Sequence, residues 1–183
     1  MRYFLSSLIE TLEVALIAIV SVLVIRTYLV QPFLVSGDSM EPNFSSGNYL
    51  LVDELSYQFR KPERGEVIVF KFPDNPSVYY IKRIIGLPGE KIIIKNGEVE
   101  IFNQGSSEGK KIEEKYIPVD FRTSGDVEVV LKDEEYFVMG DNRMFSFDSR
   151  SWGPLEKKYI MGIARFNLWP LSEARAVSIP LYQ

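Results

Sequence analysis

From Val14 to Ile25 every residue except Ser21 is apolar, and this run constrains the arrangement of everything that follows it. Twelve residues at about 1.5 Å rise make about 18 Å of helix, short of the ~30 Å hydrocarbon core of a bilayer. A span must therefore borrow from its flanks. Extension to residues 8–30 gives adequate length when Glu10 and Glu13 lie near one interface and Arg26 snorkels toward the other beside Tyr28. The alternatives are a cleavable signal peptide or an amphipathic core helix. A cleavable signal calls for a small-residue exit site, whereas Gln31-Pro32-Phe33-Leu34-Val35 is bulky, so an uncleaved transmembrane anchor is the expectation. Charge leaves its orientation open, because Arg2 on one side faces Arg26 on the other.

After Val35 the pattern changes to strands. Tyr49 to Val52, Glu66 to Phe72 and Val78 to Ile85 are rich in β-branched and aromatic residues, and Ser45-Ser46-Gly47-Asn48 and Pro73-Asp74-Asn75-Pro76 separate them as turns. Lys91 to Lys95 and Glu98 to Phe102 flank Asn96-Gly97, a pair that supplies the two positive-φ positions of a two-residue hairpin turn. Gln104 to Gly109 reads as a polar surface loop. Further strands are expected at Val127 to Leu131, Tyr136 to Met139 and Tyr159 to Phe166, with a loop from Gly140 to Gly153 between the last two. The expected fold class is mainly β: a short N-terminal segment over 1–7, the anchor over 8–30, and one β-rich domain over 31–183.

The chain contains no His and no Cys, which excludes a Ser-His-Asp triad, a Cys-His dyad and every zinc site built on those ligands. A covalent catalyst here must use Ser or Thr, and Lys is the base that remains. A net charge of −4 argues against a nucleic-acid partner. The one basic cluster, Lys110-Lys111 with Lys115, is interleaved with Glu108, Glu113 and Glu114 and reads as a solvated loop. A lysine of ordinary pKa ~10.4 is protonated at neutral pH and works as a base only if its ammonium is desolvated. Tyr80 and Ile81 beside Lys82, Met40 beside Ser39, and Phe145 and Phe147 around Ser146 offer apolar surroundings. Taken singly, Lys82 reads as a solvent-facing strand residue and Ser39 as an ordinary loop serine.

The joint pattern reads differently. Ser36-Gly37-Asp38-Ser39-Met40-Glu41-Pro42, then Arg64 to Phe70, then Lys82-Arg83-Ile84-Ile85-Gly86-Leu87-Pro88-Gly89-Glu90, then Gly140-Asp141-Asn142-Arg143 with Ser146, Asp148, Ser149 and Arg150 follow one another behind a single anchor. From the anchor to about Trp169 the sequence resembles bacterial type I signal peptidase, in its one-anchor form. The resemblance implies Ser39 as nucleophile, Lys82 as general base, and Ser146 as a serine hydrogen-bonded to the lysine amine. Asp148 and Arg150 match a structural ion pair behind the site, with Arg83 close by. The two-anchor enzymes have an oxyanion-hole serine two positions before the nucleophile; here that position is Gly37, so the hole relies on the Ser39 N–H and a neighbour.

The resemblance also implies the substrate, secretory preproteins cut after an Ala-X-Ala-like site. An extended substrate strand would lie between Phe33 to Ser36 and Tyr79 to Lys82, with Phe33, Val35 and Ile81 as pocket walls. It further implies a single-pass membrane protein, its N-terminus cytoplasmic and its catalytic domain outside against membrane lipid, with Phe33, Phe145 and Trp152 as a membrane-facing patch. A monomer without metal or organic cofactor is expected. Three rivals differ in class: a self-cleaving Ser-Lys repressor, which would carry a DNA-binding domain in place of the anchor; a non-enzymatic membrane-anchored β-domain; and a processing peptidase with a narrow substrate.

Overall fold

The computed structural model describes residues 2–28, 30–106, 108–118, 121–180 and 182, with the backbone alone for 2–6, 8, 22–28 and 30. Helix α1 covers Arg2–Tyr28. The strands that follow are β1 (Val30–Leu34), β2 (Tyr49–Asp53), β3 (Val67–Phe72) and β4 (Asn75–Gly86), with a one-turn helix α2 (Ser56–Phe59) after β2. Next come β5 (Lys91–Lys95), β6 (Glu98–Phe102), β7 (Gly109–Lys111) and β8 (Val127–Val130). The chain then forms β9 (Glu135–Met139), the short helix α3 (Ser149–Trp152), β10 (Leu155–Glu156), β11 (Ile160–Trp169) and β12 (Arg175–Ala176). The fold is mainly β, as expected.

On α1, the side chains of Leu12, Val14, Leu16, Ile17 and Ile19 are exposed, uncovered by any of the described residues. Among the described residues no helix is long and apolar enough to cross a membrane. Residues 22–30, which complete the span expected from the sequence, lie outside those whose side chains are described.

The larger sheet runs β1-β2-β11-β3-β4-β9-β10 with β12 on β11, and the smaller one β7-β6-β5-β8. The Asn-Gly hairpin falls where the sequence puts it: Asn96 and Gly97 have φ of 54° and 83°, and Lys95 pairs with Glu98. Alternation then turns Ile92, Ile94, Val99 and Ile101 into one core with Leu131, Phe137 and Met139. Two further cores lie on the faces of the larger sheet. One gathers Val35, Met40, Phe44, Val67 and Val69, and the other Ile68, Phe70, Ile84, Tyr136 and Val138.

Three local expectations change. Asn75 and Pro76 belong to β4, so the turn before it is Pro73-Asp74 alone; Pro76 is tolerated because that stretch of β4 lies at an edge, where a missing N–H breaks no ladder. Lys110 and Lys111 form an edge strand instead of a loop, with Lys111 paired to Glu98. A short, charged edge carries no alternation for the sequence to show, and its charge protects it from pairing with another chain. Of the three residues of the expected patch, only Phe145 stands free: Trp152 packs against Phe70 and Phe72, and Phe33 meets Tyr79 edge-on at 5.6 Å.

Pairing stops in two places that matter. β4 bonds to β3 along most of its length, but to β9 only from Arg83 onward, which leaves the Asn75–Lys82 edge open. β1 pairs with β2 on one side only. Residues from both open edges line one cleft of about 340 Å³.

Candidate active site

Ser39 lies in the loop between β1 and β2. Gly37 makes the sharp entry possible with φ of 90°, a conformation that a side chain resists. Beyond it Met40 and Phe44 are buried in the core, the Glu41 N–H donates to the Asp38 carbonyl at 3.1 Å, and the Phe44 N–H donates to the Met40 carbonyl at 2.9 Å. The loop is thus pinned from behind while Ser39 faces the cleft.

Lys82 comes from the open stretch of β4. Its ammonium donates to Ser39 Oγ at 2.7 Å and to the Ile81 carbonyl at 2.8 Å, and the Tyr80 ring lies 5.5 Å below it. Lys82 is 4% exposed. Burial lowers its pKa to about 8, against the opposing pull of the Asp148 and Asp141 carboxylates. Near pH 7 about a tenth of such amines are neutral and able to accept a proton, against well under a thousandth for an ordinary lysine.

Alternation along β4 sends Arg83 to the opposite face. There it forms a bidentate pair with Asp141, at 2.8 and 2.6 Å, and donates to the Gly65 carbonyl, with the Tyr116 ring 4.3 Å away. Burial works against its charge, but Asp141 outweighs it and holds the guanidinium pKa above its usual value. Arg83 therefore belongs to its own ion pair rather than to the Asp148–Arg150 pair. Asp148 caps α3 and accepts from Arg150 Nε and Nη2, both at 2.8 Å, and from the Gly140 N–H at 3.0 Å. Burial raises its pKa, yet Arg150 and these bonds overcome that and keep the carboxyl below its ordinary value.

Ser146 departs from expectation. Its Oγ is buried without a hydrogen-bond partner, and the Lys82 amine is occupied by Ser39 and Ile81. The hydroxyl lies close enough to Asp148 to favour its ionised form, without an aligned bond. Two of the three ammonium donors of Lys82 are in use, which leaves one for a neighbour.

Gly37, Phe33, Val35 and Ile81 all line the cleft. Val35 is buried, Phe33 and Ile81 are half-buried against the same core, and the Gly37 N–H makes only a long 3.4 Å contact with Ser46 Oγ.

In the sequence Asp141, Asn142 and Arg143 stand within a motif that assigns them no task. Asn142 grips the Ser39 loop twice, through its N–H on the Ser39 carbonyl at 3.1 Å and its amide on the Asp38 carbonyl at 3.0 Å. Asn43 bridges Asp141 Oδ2 and the Tyr116 carbonyl, both at 2.9 Å. Arg143, fully buried, is held by Glu114, Thr123 and Tyr116. A run of three polar residues between two strands was the signal available.

The family model described as signal peptidase, peptidase S26, matches residues 8–169. The chain belongs to the signal peptidase family. It is accordingly a serine peptidase, a hydrolase. It is similar to signal peptidase I of Bacillus licheniformis, 35% identical over 180 residues that cover 93% of each chain. Signal peptidase I S of Bacillus subtilis is likewise 35% identical over 180 residues, 92% of this chain and 93% of that one. A crystal structure of a signal peptidase I from Enterococcus faecalis aligns with 57% of this chain and 97% of its own, at 27% identity and a TM-score of 0.48.

Proposed function

We propose that this chain is a membrane-anchored signal peptidase that removes signal peptides from exported preproteins, with Ser39 as nucleophile and Lys82 as general base. The observation that carries the reading is the 2.7 Å contact between Ser39 Oγ and the Lys82 amine, whose burial lowers its pKa to about 8. In the neutral form Lys82 takes the proton of Ser39 as Oγ attacks the scissile carbonyl. The Ser39 N–H, with the unfilled space at Gly37, receives the oxyanion. Lys82 then gives its proton to the leaving amine, and the acyl-enzyme is hydrolysed when Lys82 accepts a proton from water. Ser146 supports this cycle by taking the free donor of the Lys82 ammonium, which would satisfy its own orphaned hydroxyl. The Asp148–Arg150 pair holds the loop that carries it.

The substrate adds a strand between the two open edges, and the walls at Phe33, Val35 and Ile81 leave room for small side chains on alternate residues, the Ala-X-Ala pattern. The uncovered apolar side chains of α1 support its role as anchor, completed by residues 22–30, with the catalytic domain outside the membrane and in contact with lipid. The enzyme acts as a monomer.

The test is cleavage of an Ala-X-Ala preprotein in detergent by the purified full chain, beside Ser39→Ala and Lys82→Ala, with the new N-terminus sequenced. Cleavage after the second Ala by the unmodified chain alone is expected; an inert unmodified chain on several preproteins would favour a non-enzymatic or narrow-substrate role.

A further inference from the structure

Three apolar side chains stand uncovered on the loop that borders the Ser39–Lys82 cleft. Met144, Phe145 and Phe147 are 61, 74 and 53% exposed, while Arg143 and Asp148 on either side of them are buried. Phe145 and Phe147 line the same cleft as Ser39 and Lys82. The loop that carries them is held in place: the Phe145 N–H donates to the Asn142 carbonyl at 3.2 Å, and Phe147 packs edge-on against Phe72 with centroids 5.9 Å apart. Ser146, between them, sits against the spot at Gly140 that also abuts the Ser39 carbonyl. Apolar groups fixed at the mouth of a cleft gain free energy when an occupant covers them.

The chemistry says which part of the occupant reaches them. In the signal peptidase reading, on which this inference rests, the acyl half of the substrate lies between the two open strand edges and meets Phe33, Val35 and Ile81. Lys82 must hand its proton to the leaving amine, so the leaving half departs past the ammonium. The exposed apolar side chains that line the cleft and belong to neither strand edge are Phe145 and Phe147. We propose that Phe145 and Phe147 are specificity residues for the leaving half of the substrate, selecting an apolar or aromatic side chain at the first or second position after the scissile bond.

The experiment uses the full chain in detergent and peptides with a constant Ala-X-Ala half, followed at either position by Phe, Leu, Ser or Glu. At one of the two positions kcat/KM for Phe or Leu should exceed that for Ser or Glu about tenfold, the discrimination an apolar contact supplies. The double change Phe145→Asn with Phe147→Ser should bring that ratio to within about twofold. Phe145→Lys should turn the preference toward Glu, which no folding defect would do. Cleavage by the unmodified chain without preference, or a preference that survives both changes, overturns the proposal. So does wild-type selectivity on peptides combined with lost rate only on preproteins in phosphatidylglycerol vesicles, which would make the loop a lipid contact. If the unmodified chain cuts no peptide at all, the signal peptidase reading itself fails, a result distinct from cleavage without preference.

Discussion

The backbone N–H of Asn142 donates to the carbonyl of Ser39 at 3.1 Å, while its side chain holds the preceding carbonyl, that of Asp38. The Ser39 peptide is therefore fixed by a residue about a hundred positions away, on the loop that also carries Ser146. Asn142→Ala removes the Asp38 bond and leaves the backbone bond in place. It should cost about 1 kcal/mol of stability and lower kcat roughly tenfold, with KM little changed, because Ser39 loses its register against Lys82. Thermal melting and steady-state kinetics on one peptide check both effects. A large loss of stability with normal kcat per folded molecule would contradict the positioning role.

Gly140 is required for space rather than for backbone conformation. A Cβ there would run into the Ser39 carbonyl and the Ser146 side chain, and a backbone carbonyl cannot swing aside as a flexible side chain can. Gly140→Ala should therefore lower kcat/KM by about a hundredfold, the scale expected for a displacement of about 1 Å in a catalytic group. The stability cost should be about 1–3 kcal/mol. Activity within a fewfold of the unmodified chain would show that the loop absorbs the methyl group.

Asp148 is fully buried with its charge answered by Arg150 and the Gly140 N–H. Asp148→Ala leaves a nearly buried guanidinium without its partner, a change worth about 3–5 kcal/mol. Its carboxyl pKa is lowered in the fold, so the stability it adds is present above the ordinary carboxylate pKa and fades as pH falls through the lowered value. Chemical denaturation near pH 7 and near pH 3 should therefore show a smaller gap between Asp148→Ala and the unmodified chain at the lower pH.

What the sequence carried and what it hid divide along physical lines. The Asn96-Gly97 hairpin was legible because turn chemistry and alternation are local. The contact between Ser39 and Lys82 was foreshadowed in the sequence because an absence of His and Cys leaves few ways to activate a hydroxyl, and a family pattern surrounds both. The Arg83–Asp141 pair, 58 residues apart, depends on which face of β4 each side chain takes and on where the 140–143 loop folds back. The solitary hydroxyl of Ser146 depends on loop conformation at the scale of one rotamer. β7 escaped because three residues at an edge carry no periodicity.

In the proposed mechanism Lys82 makes both activity and stability rise with pH. Its pKa is lowered to about 8 by burial, so kcat/KM should rise with pH and level off above an apparent pKa near 8, as the neutral base accumulates. A rate flat between about pH 6 and 9 would contradict the mechanism. Stability runs from the same cause. Between about 8 and the ordinary value of 10.5 the unfolded chain binds more protons at this site than the folded one, so stability from this group rises with pH across that window. Below it the fold bears the whole cost of a buried ammonium. A fall from 10.5 to about 8, at about 1.4 kcal/mol for each tenfold, corresponds to about 3 kcal/mol. Lys82→Met, of similar length and without charge, should abolish cleavage while stabilising the protein near pH 7 by up to that amount, and the gain should shrink as pH rises from 8 toward 10.5. Denaturation of both proteins across that range decides it: a variant less stable than the unmodified chain at pH 7 would mean that Lys82 is held by its partners rather than strained by its burial.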